Sequence, residues 1–204
     1  MCGWAAYYSG NVLATGFCAG IGRTYGKSEE TRIKEEWKAN VVLTHNSLGR
    51  LTDGFFWSAG IEDTFIVDPW PKTGRMLDEY ELTGHYEKFR EDIQLMADLG
   101  VRIARYGVPW YRINPKLGKW DWSWADRGLE CLLEKGIEPI VDLVHYGVPG
   151  WIEGAFANPD FPERMAEYAA RLAERYRGKI FAYTPLNEPR ITAWYCGKLG
   201  WWPP

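Results

Sequence analysis

Lys135-Gly136-Ile137-Glu138-Pro139-Ile140-Val141-Asp142-Leu143-Val144-His145 joins a helix end to an apolar run through a single glycine. Glycine suits a helix C-terminus because the left-handed conformation there carries no Cβ penalty. The same junction recurs at Leu99-Gly100-Val101 and at Arg177-Gly178-Lys179. Upstream of each glycine lies an apolar stripe at helical spacing. The first is Phe89, Ile93, Met96 and Leu99, and the second Ala125, Leu129, Leu132 and Leu133. The third is Met165, Tyr168, Ala169, Leu172 and Tyr176. Stripes of this kind belong to helices that cover a sheet. Downstream, 101–108, 137–144 and 179–186 read as strands, with 55–61 as a further strand before the first helix. Strands alternating with helices predict βαβ units and a parallel sheet.

Loop lengths are unequal at the two ends of this pattern. The helix-to-strand turns take one or two residues, whereas the strand-to-helix loops run over roughly 62–83, 109–122 and 145–160. In a (β/α) barrel of the TIM type the long loops at the C-terminal ends of the strands build the active site. A doubly wound open sheet is the alternative, but no GxGxxG or Walker-type phosphate loop follows any strand. The barrel reading is favoured, with about four βα units over residues 55–204. Residues 1–54 break the pattern. Within them 11–18 and 41–44 read as short strands, and 28–38 as a polar helix carrying Ile33 and Trp37, and together they form an unassigned N-terminal extension.

Composition narrows the function class. The chain has 204 residues, 46% hydrophobic and 25% charged, with a net charge of -3, which gives no sign of a nucleic-acid or membrane partner. Its 12 Trp, 12 Tyr and 8 Phe suit either an aromatic core or a carbohydrate site, because aromatic faces stack on the C–H faces of sugar rings. Cys2, Cys18, Cys131 and Cys196 lack ligand spacing and read as reduced, structural thiols, with Cys131 on an apolar helix face. His45, His85 and His145 are too dispersed for a metal site, and no metal or cofactor is expected. No signal-peptide pattern or membrane-length apolar run is present, so a cytoplasmic protein is expected.

The strand ends carry the polar groups. The second strand runs Ala104-Arg105-Tyr106-Gly107-Val108-Pro109-Trp110-Tyr111-Arg112-Ile113, and the third ends Leu143-Val144-His145-Tyr146-Gly147. The fourth ends Thr184-Pro185-Leu186-Asn187-Glu188-Pro189, an amide beside a carboxyl with prolines on both sides. Over about residues 55–204 this series resembles family 1 glycoside hydrolases, the β-glucosidase family whose acid/base carboxyl ends barrel strand four. Phe55-Phe56-Trp57-Ser58-Ala59 is similar to the family's opening strand, and Arg105 to Ile113 to its Arg-…-Trp-Ser-Arg-Ile strand. His145-Tyr146 is similar to its His-Trp pair, and Leu186-Asn187-Glu188-Pro189 to its Phe-Asn-Glu-Pro.

The resemblance implies that Glu188 is the general acid/base, that Asn187 binds the sugar 2-hydroxyl and His145 another hydroxyl, and that Arg105 orients the nucleophile's carboxylate. The chemistry is consistent with those roles. A leaving oxygen needs a proton donor near neutral pH, so a Glu of reference pKa about 4.3 must be raised by its surroundings. A 2-hydroxyl hydrogen bond strengthens as the oxocarbenium ion develops. An Arg fork fits a carboxylate. Beside these roles stand structural ones, with Arg105 as an ion-pair partner of Asp142 or Glu188 and His145 as a satisfied core histidine. Trp57, Trp110 and Trp151 are sugar platforms or barrel core, with Trp110 preferred as a platform.

Two departures from the family pattern matter. The glutamine that the family carries late in its first strand falls near Phe65. The chain also stops after the fourth strand, so the nucleophilic carboxylate of strand seven is expected to be missing. Retention and inversion each need two carboxyls, so a recruited second one is sought among Glu62, Asp142 and Glu153. A half barrel is expected to leave open edges and an exposed apolar inner face, with three outcomes: a second copy of the chain pairs with it, residues 1–54 cap it, or the chain is a truncated product of marginal stability. The function expected is a glycoside hydrolase acting on β-linked glycosides, and the alternative is a carbohydrate-binding half barrel without turnover.

Overall fold

Glycine-terminated helices and short apolar strands do alternate in the computed structural model, which describes residues 55–66, 77–180 and 182–200. The expectations for 1–54 lie outside the described residues. In chain order the strands are β1 (Ser58–Ile61), the two-residue β2 (Phe65–Ile66) and β3 (Leu77–Asp78), β4 (Ile103–Gly107), β5 (Glu138–Asp142) and β6 (Ala182–Thr184). The helices are α1 (Glu79–Thr83), α2 (His85–Asp98), α3 (Trp110–Ile113), α4 (Ser123–Glu134), α5 (Phe161–Arg175) and α6 (Pro189–Thr192). A π-helical segment, Ala193–Lys198, follows α6. Strands β1, β4, β5 and β6 form one parallel sheet in that order. Each new strand adds on the same side of the last, without the order reversal of a doubly wound sheet. A parallel α/β sheet is therefore observed. None of the described helices is long and apolar enough to cross a membrane.

The strands are shorter than the apolar runs that signal them. Strand β6 stops at Thr184 because Pro185 has no N–H to continue the ladder. Pairing nevertheless persists one residue beyond the named strands, since Leu143 N donates to Thr184 O at 2.9 Å and Val108 N to Asp142 O at 3.1 Å.

One continuous core lies between the sheet and its helices. Helix α2 buries Phe89, Ile93 and Met96, α4 buries Ala125, Leu129, Cys131 and Leu132, and α5 buries Tyr168 and Leu172. From the sheet, Ala104 and Tyr106 of β4 and Val141 of β5 join them. Leu99 does not take its expected place, being 77% exposed. Helix α2 ends at Asp98, and Leu99 caps it before Gly100 turns the chain at φ 76, which carries that side chain off the buried stripe. Leu133 is only half-buried. Helix α4 passes so near β4 that a Cβ on Gly128 would lie 2.9 Å from Tyr106 Oη. That hydroxyl in turn lies 2.8 Å from Nε2 of buried His85, whose Nδ1 is 2.6 Å from Asp92. Burial pushes the His85 pKa down despite Asp92, so the ring is neutral, with Nδ1–H donating to Asp92 and Nε2 accepting from Tyr106.

The other face of the sheet corrects an expectation. Alternation places Ile103 and Arg105 of β4, and Glu138, Ile140 and Asp142 of β5, on the side away from the helices. Three of these five carry charge. This face is mixed rather than a bare apolar surface.

The loop after β1 is tied down by a polar cluster. Tyr111 Oη lies 2.6 Å from Asp63 Oδ2 and 2.7 Å from Asp78 Oδ2, while Tyr86 Oη lies 3.1 Å from the same Asp78 oxygen. Tyr86 Oη also lies 2.5 Å from Tyr111 Oη, so the two phenols and two carboxyls form one connected cluster. Tyr80 adds its backbone N–H to Asp63 Oδ1 at 3.3 Å and its hydroxyl to the carbonyls of Ile61 and Gly107. Burial pushes the Asp63 pKa up to about 7, Asp78 adds to the rise, and the bonds from Tyr111 and Tyr80 oppose it.

Two predictions follow from this packing. Ile93 and Leu132 are fully buried, so truncation of either to Ala is expected to cost about 2–5 kcal/mol in urea denaturation. For Asp63 the folded protein holds a proton that the unfolded chain releases from about pH 4 upward. This stabilisation is whole below the unfolded pKa and is lost as pH rises through about 7, at up to ~1.4 kcal/mol per pH unit. Asp63→Asn keeps a neutral side chain there. Its denaturation midpoint should fall less between pH 5 and pH 8 than that of the wild type.

Candidate active site

Arg105, Asp142, His145 and Asn187 come together at the C-terminal ends of β4, β5 and β6. Asp142 ends β5 with 1% exposure, opposite Gly107 on one side and Thr184 on the other. Its Oδ2 accepts from Arg105 Nη2 at 2.7 Å and from His145 Nδ1 at 2.7 Å. A carboxylate only accepts, so Nδ1 carries the imidazole hydrogen and Nε2 presents a lone pair. Asn187 Nδ2 donates to that Nε2 at 3.3 Å, and Asn187 Oδ1 accepts from Arg105 Nη2 at 2.8 Å. Both hydrogens of Arg105 Nη2 are thereby used, and the four side chains close into a ring. The amide of Asn187 is oriented from both ends, by a donor at its oxygen and an acceptor at its nitrogen.

Glu188 follows the ring in sequence and stands clear of it. Its side chain is exposed, and its backbone is left-handed at φ 41 and ψ 59. The chain on either side is fixed, because Asn187 N donates to Val144 O at 2.9 Å and Thr192 N donates to Glu188 O at 3.0 Å as α6 begins. Tyr146 donates its hydroxyl to Glu188 Oε2. Burial first, and then Glu188, push the Tyr146 pKa up, so the phenol keeps its hydrogen across the ordinary pH range.

The remaining carboxylates separate by environment. Glu62 lies just past β1 with Oε1 3.6 Å from Arg105 Nε. It folds back over Gly60, where an added Cβ would meet Oε1 at 2.6 Å. Burial raises the Glu62 pKa, against the pull of Arg105 and His145. Asp142 is committed to the ring and does not project as a second reacting group. Glu153 is exposed on the loop after β5, where its backbone carbonyl accepts from Asn158 Nδ2 at 2.6 Å, and none of the ring's bonds reaches it.

Trp110 requires a correction. It is 2% exposed and stacks on Tyr168 with ring centroids 4.8 Å apart and planes 3° from parallel. An indole enclosed between α3 and α5 offers no face to a sugar, so it belongs to the core. Trp151 is half-buried, with Nε1 donating to Asn114 O at 2.8 Å, whereas Trp57 is exposed and packs edge-on against Phe55. Phe65, near which the family's glutamine falls, stacks on Tyr111 at 3.4 Å and donates its N–H to His145 O at 3.4 Å. A buried benzyl group thus stands beside His145. Sequence reasoning missed Tyr146 as the partner of Glu188 and the Asp63–Tyr111–Asp78 cluster. The available signal was position alone, since Tyr111 and Tyr146 each follow a residue already singled out.

The family described as Glycosyl hydrolase family 1 matches residues 51–204. Among characterised relatives, "Thermostable beta-glucosidase B" of Thermobispora bispora is 32% identical over 169 residues, covering 72% of this chain and 36% of that protein. The family 1 β-glucosidase structure from Thermotoga maritima superposes with a TM-score of 0.59 at 26% identity, over 70% of this chain and 37% of that one. The structure titled AHE enzyme from Alicyclobacillus herbarius does so with a TM-score of 0.54 at 37% identity, over 57% of this chain and 28% of that one. The chain therefore spans about a third of the length of the proteins it matches. Matched by that family over residues 51–204, this chain belongs to glycosyl hydrolase family 1.

Proposed function

We propose that this chain is the acid/base half of a barrel that hydrolyses β-linked glycosides, with Glu188 delivering the proton to the leaving oxygen. The observation that carries the reading is the closed ring of Arg105, Asp142, His145 and Asn187, which orients one amide rigidly beside one exposed carboxyl. In the step envisaged, the proton of Glu188 passes to the glycosidic oxygen. The C1–O electron pair stays on that oxygen, and a nucleophile bonds to C1. Asn187 contacts the 2-hydroxyl, where a hydrogen bond gains strength as positive charge develops on the sugar ring. His145 meets a neighbouring hydroxyl, and Arg105 acts by holding Asp142 and Asn187 in place.

Of the carboxylates considered, Glu62 is the preferred second group. It stands beside Arg105 without being consumed by the ring. A second reading, a sugar-binding half barrel without turnover, draws support from the commitment of Asp142 to the ring. The outer edges of β1 and β6 pair with no strand among the described residues. A complementary barrel half, such as a second copy of this chain, would cover them.

Glu188→Gln is expected to lower kcat by about 100- to 10,000-fold on an aryl β-glycoside with a poor leaving group. With a dinitrophenyl leaving group, which needs no proton, the first bond cleavage should be little affected. Equal rates for variant and wild type on the poor leaving group would remove Glu188 from the mechanism. Glu62→Gln assayed alongside should be comparably impaired if Glu62 is the second carboxyl, and unimpaired if another group serves. Sugar binding by calorimetry without turnover, in the wild type, would establish the binding reading instead.

A further inference from the structure

Among the described residues only Tyr146, Ala155 and Glu188 are non-glycine residues with positive φ, and two of these three are hydrogen-bonded to each other. A left-handed backbone is strained for a residue with a side chain, and it persists where the surroundings over-determine it. Here the surroundings do so on both strands. Tyr146 at φ 69 lies between His145, a ring member, and Gly147, whose added Cβ would stand 2.3 Å from Phe65 O. Glu188 at φ 41 lies between Asn187, the ring member bonded to His145, and Pro189. Each residue of the pair thus directly follows a residue of the ring, so the bonds that close the ring also aim the phenol at the carboxyl.

We propose that Tyr146 is the positioning residue of the acid/base, holding Oε2 of Glu188 so that Oε1 is the oxygen that carries and delivers the proton. The inference rests on Glu188 being the general acid. In the forward step the hydrogen on Oε1 moves to the glycosidic oxygen as the C1–O bond breaks, with the electron pair staying on the leaving oxygen. A carboxylate bonds to C1, or a water does so while its proton passes to that second carboxylate. The hydrogen of Tyr146 stays on its phenol oxygen throughout, and its bond to Oε2 strengthens as Glu188 becomes a carboxylate. Besides Glu188, the groups acting on the phenol are Asn187, through a hydrogen bond, and Arg105, through its charge. A rotatable exposed Glu without this anchor would offer either oxygen in several rotamers, and the fraction correctly aimed would fall.

The test needs no turnover to be decisive. In protein labelled with 13C at tyrosine Cζ, the Tyr146 resonance, assigned by its loss in Tyr146→Phe, should show one step in a pH scan kept below the range where phenols ionise. The step should vanish in Glu188→Gln. A Tyr146 resonance with no step, or one unchanged in Glu188→Gln, overturns the proposal. Kinetics separate it from the acid/base reading. Tyr146→Phe should lower kcat at least about 10-fold on a poor leaving group with little change in KM. It should approach wild-type rates with an activated one. Wild-type kinetics in Tyr146→Phe alongside an impaired Glu188→Gln would overturn the positioning role alone. An unimpaired Glu188→Gln would sink the general-acid reading on which both rest.

Discussion

One buried carboxylate organises the candidate site. Asp142, at 1% exposure, takes hydrogen bonds from Arg105 and His145 on a single oxygen. A charge enclosed in this way is tolerated only because donors meet it, and losing either partner would strand it at a cost of several kcal/mol. The polar groups of the ring are therefore constrained by Asp142. It sets the tautomer of His145, which turns Nε2 toward Asn187, and it shares Arg105 Nη2 with the amide oxygen. The ring spans three strands that are neighbours in the sheet but far apart in sequence, and it welds their C-terminal ends together.

Reactive geometry is built outward from that fixed centre. His145 and Asn187 are anchored, and the next residue after each adopts a left-handed backbone and reaches toward the other. Glu62 approaches the same arginine from β1, through Nε rather than Nη2. Past the C-terminal end of β1, the Asp63–Tyr111–Asp78 cluster fixes the loop that carries Phe65 against His145. The site is thus held by two polar systems of different kinds. One is an ionic ring, and the other is a pair of carboxyls tied together by tyrosine hydroxyls.

Much of this was legible residue by residue, and the failures have physical causes. Glycines at helix ends and apolar stripes located α2, α4 and α5 to within a few residues. Strand ends were read too long because apolar runs continue into loops whose residues are also buried, such as Val144 and Val148. Leu99 was misplaced because the helical period stops when the helix caps. Trp110 was misjudged because a tryptophan beside a strand end looks the same in sequence whether it faces solvent or another aromatic ring. The polar character of the sheet's second face was visible in Arg105, Glu138 and Asp142, once alternation was applied across strands rather than along one.

The sequence by itself determined the order of strands and helices, the one-residue turns, and the identity of the polar groups at the strand ends, because these depend on local backbone preference and on periodicity. Only the tertiary structure decided which of those groups touch. Arg105 meets Asp142 across 37 positions and Asn187 across 82, and Tyr146 meets Glu188 across 42. Contacts at such separations follow from parallel register, which brings Gly107, Asp142 and Thr184 into line. Register is fixed by packing of the whole sheet against its helices, and no local stretch of chain encodes it.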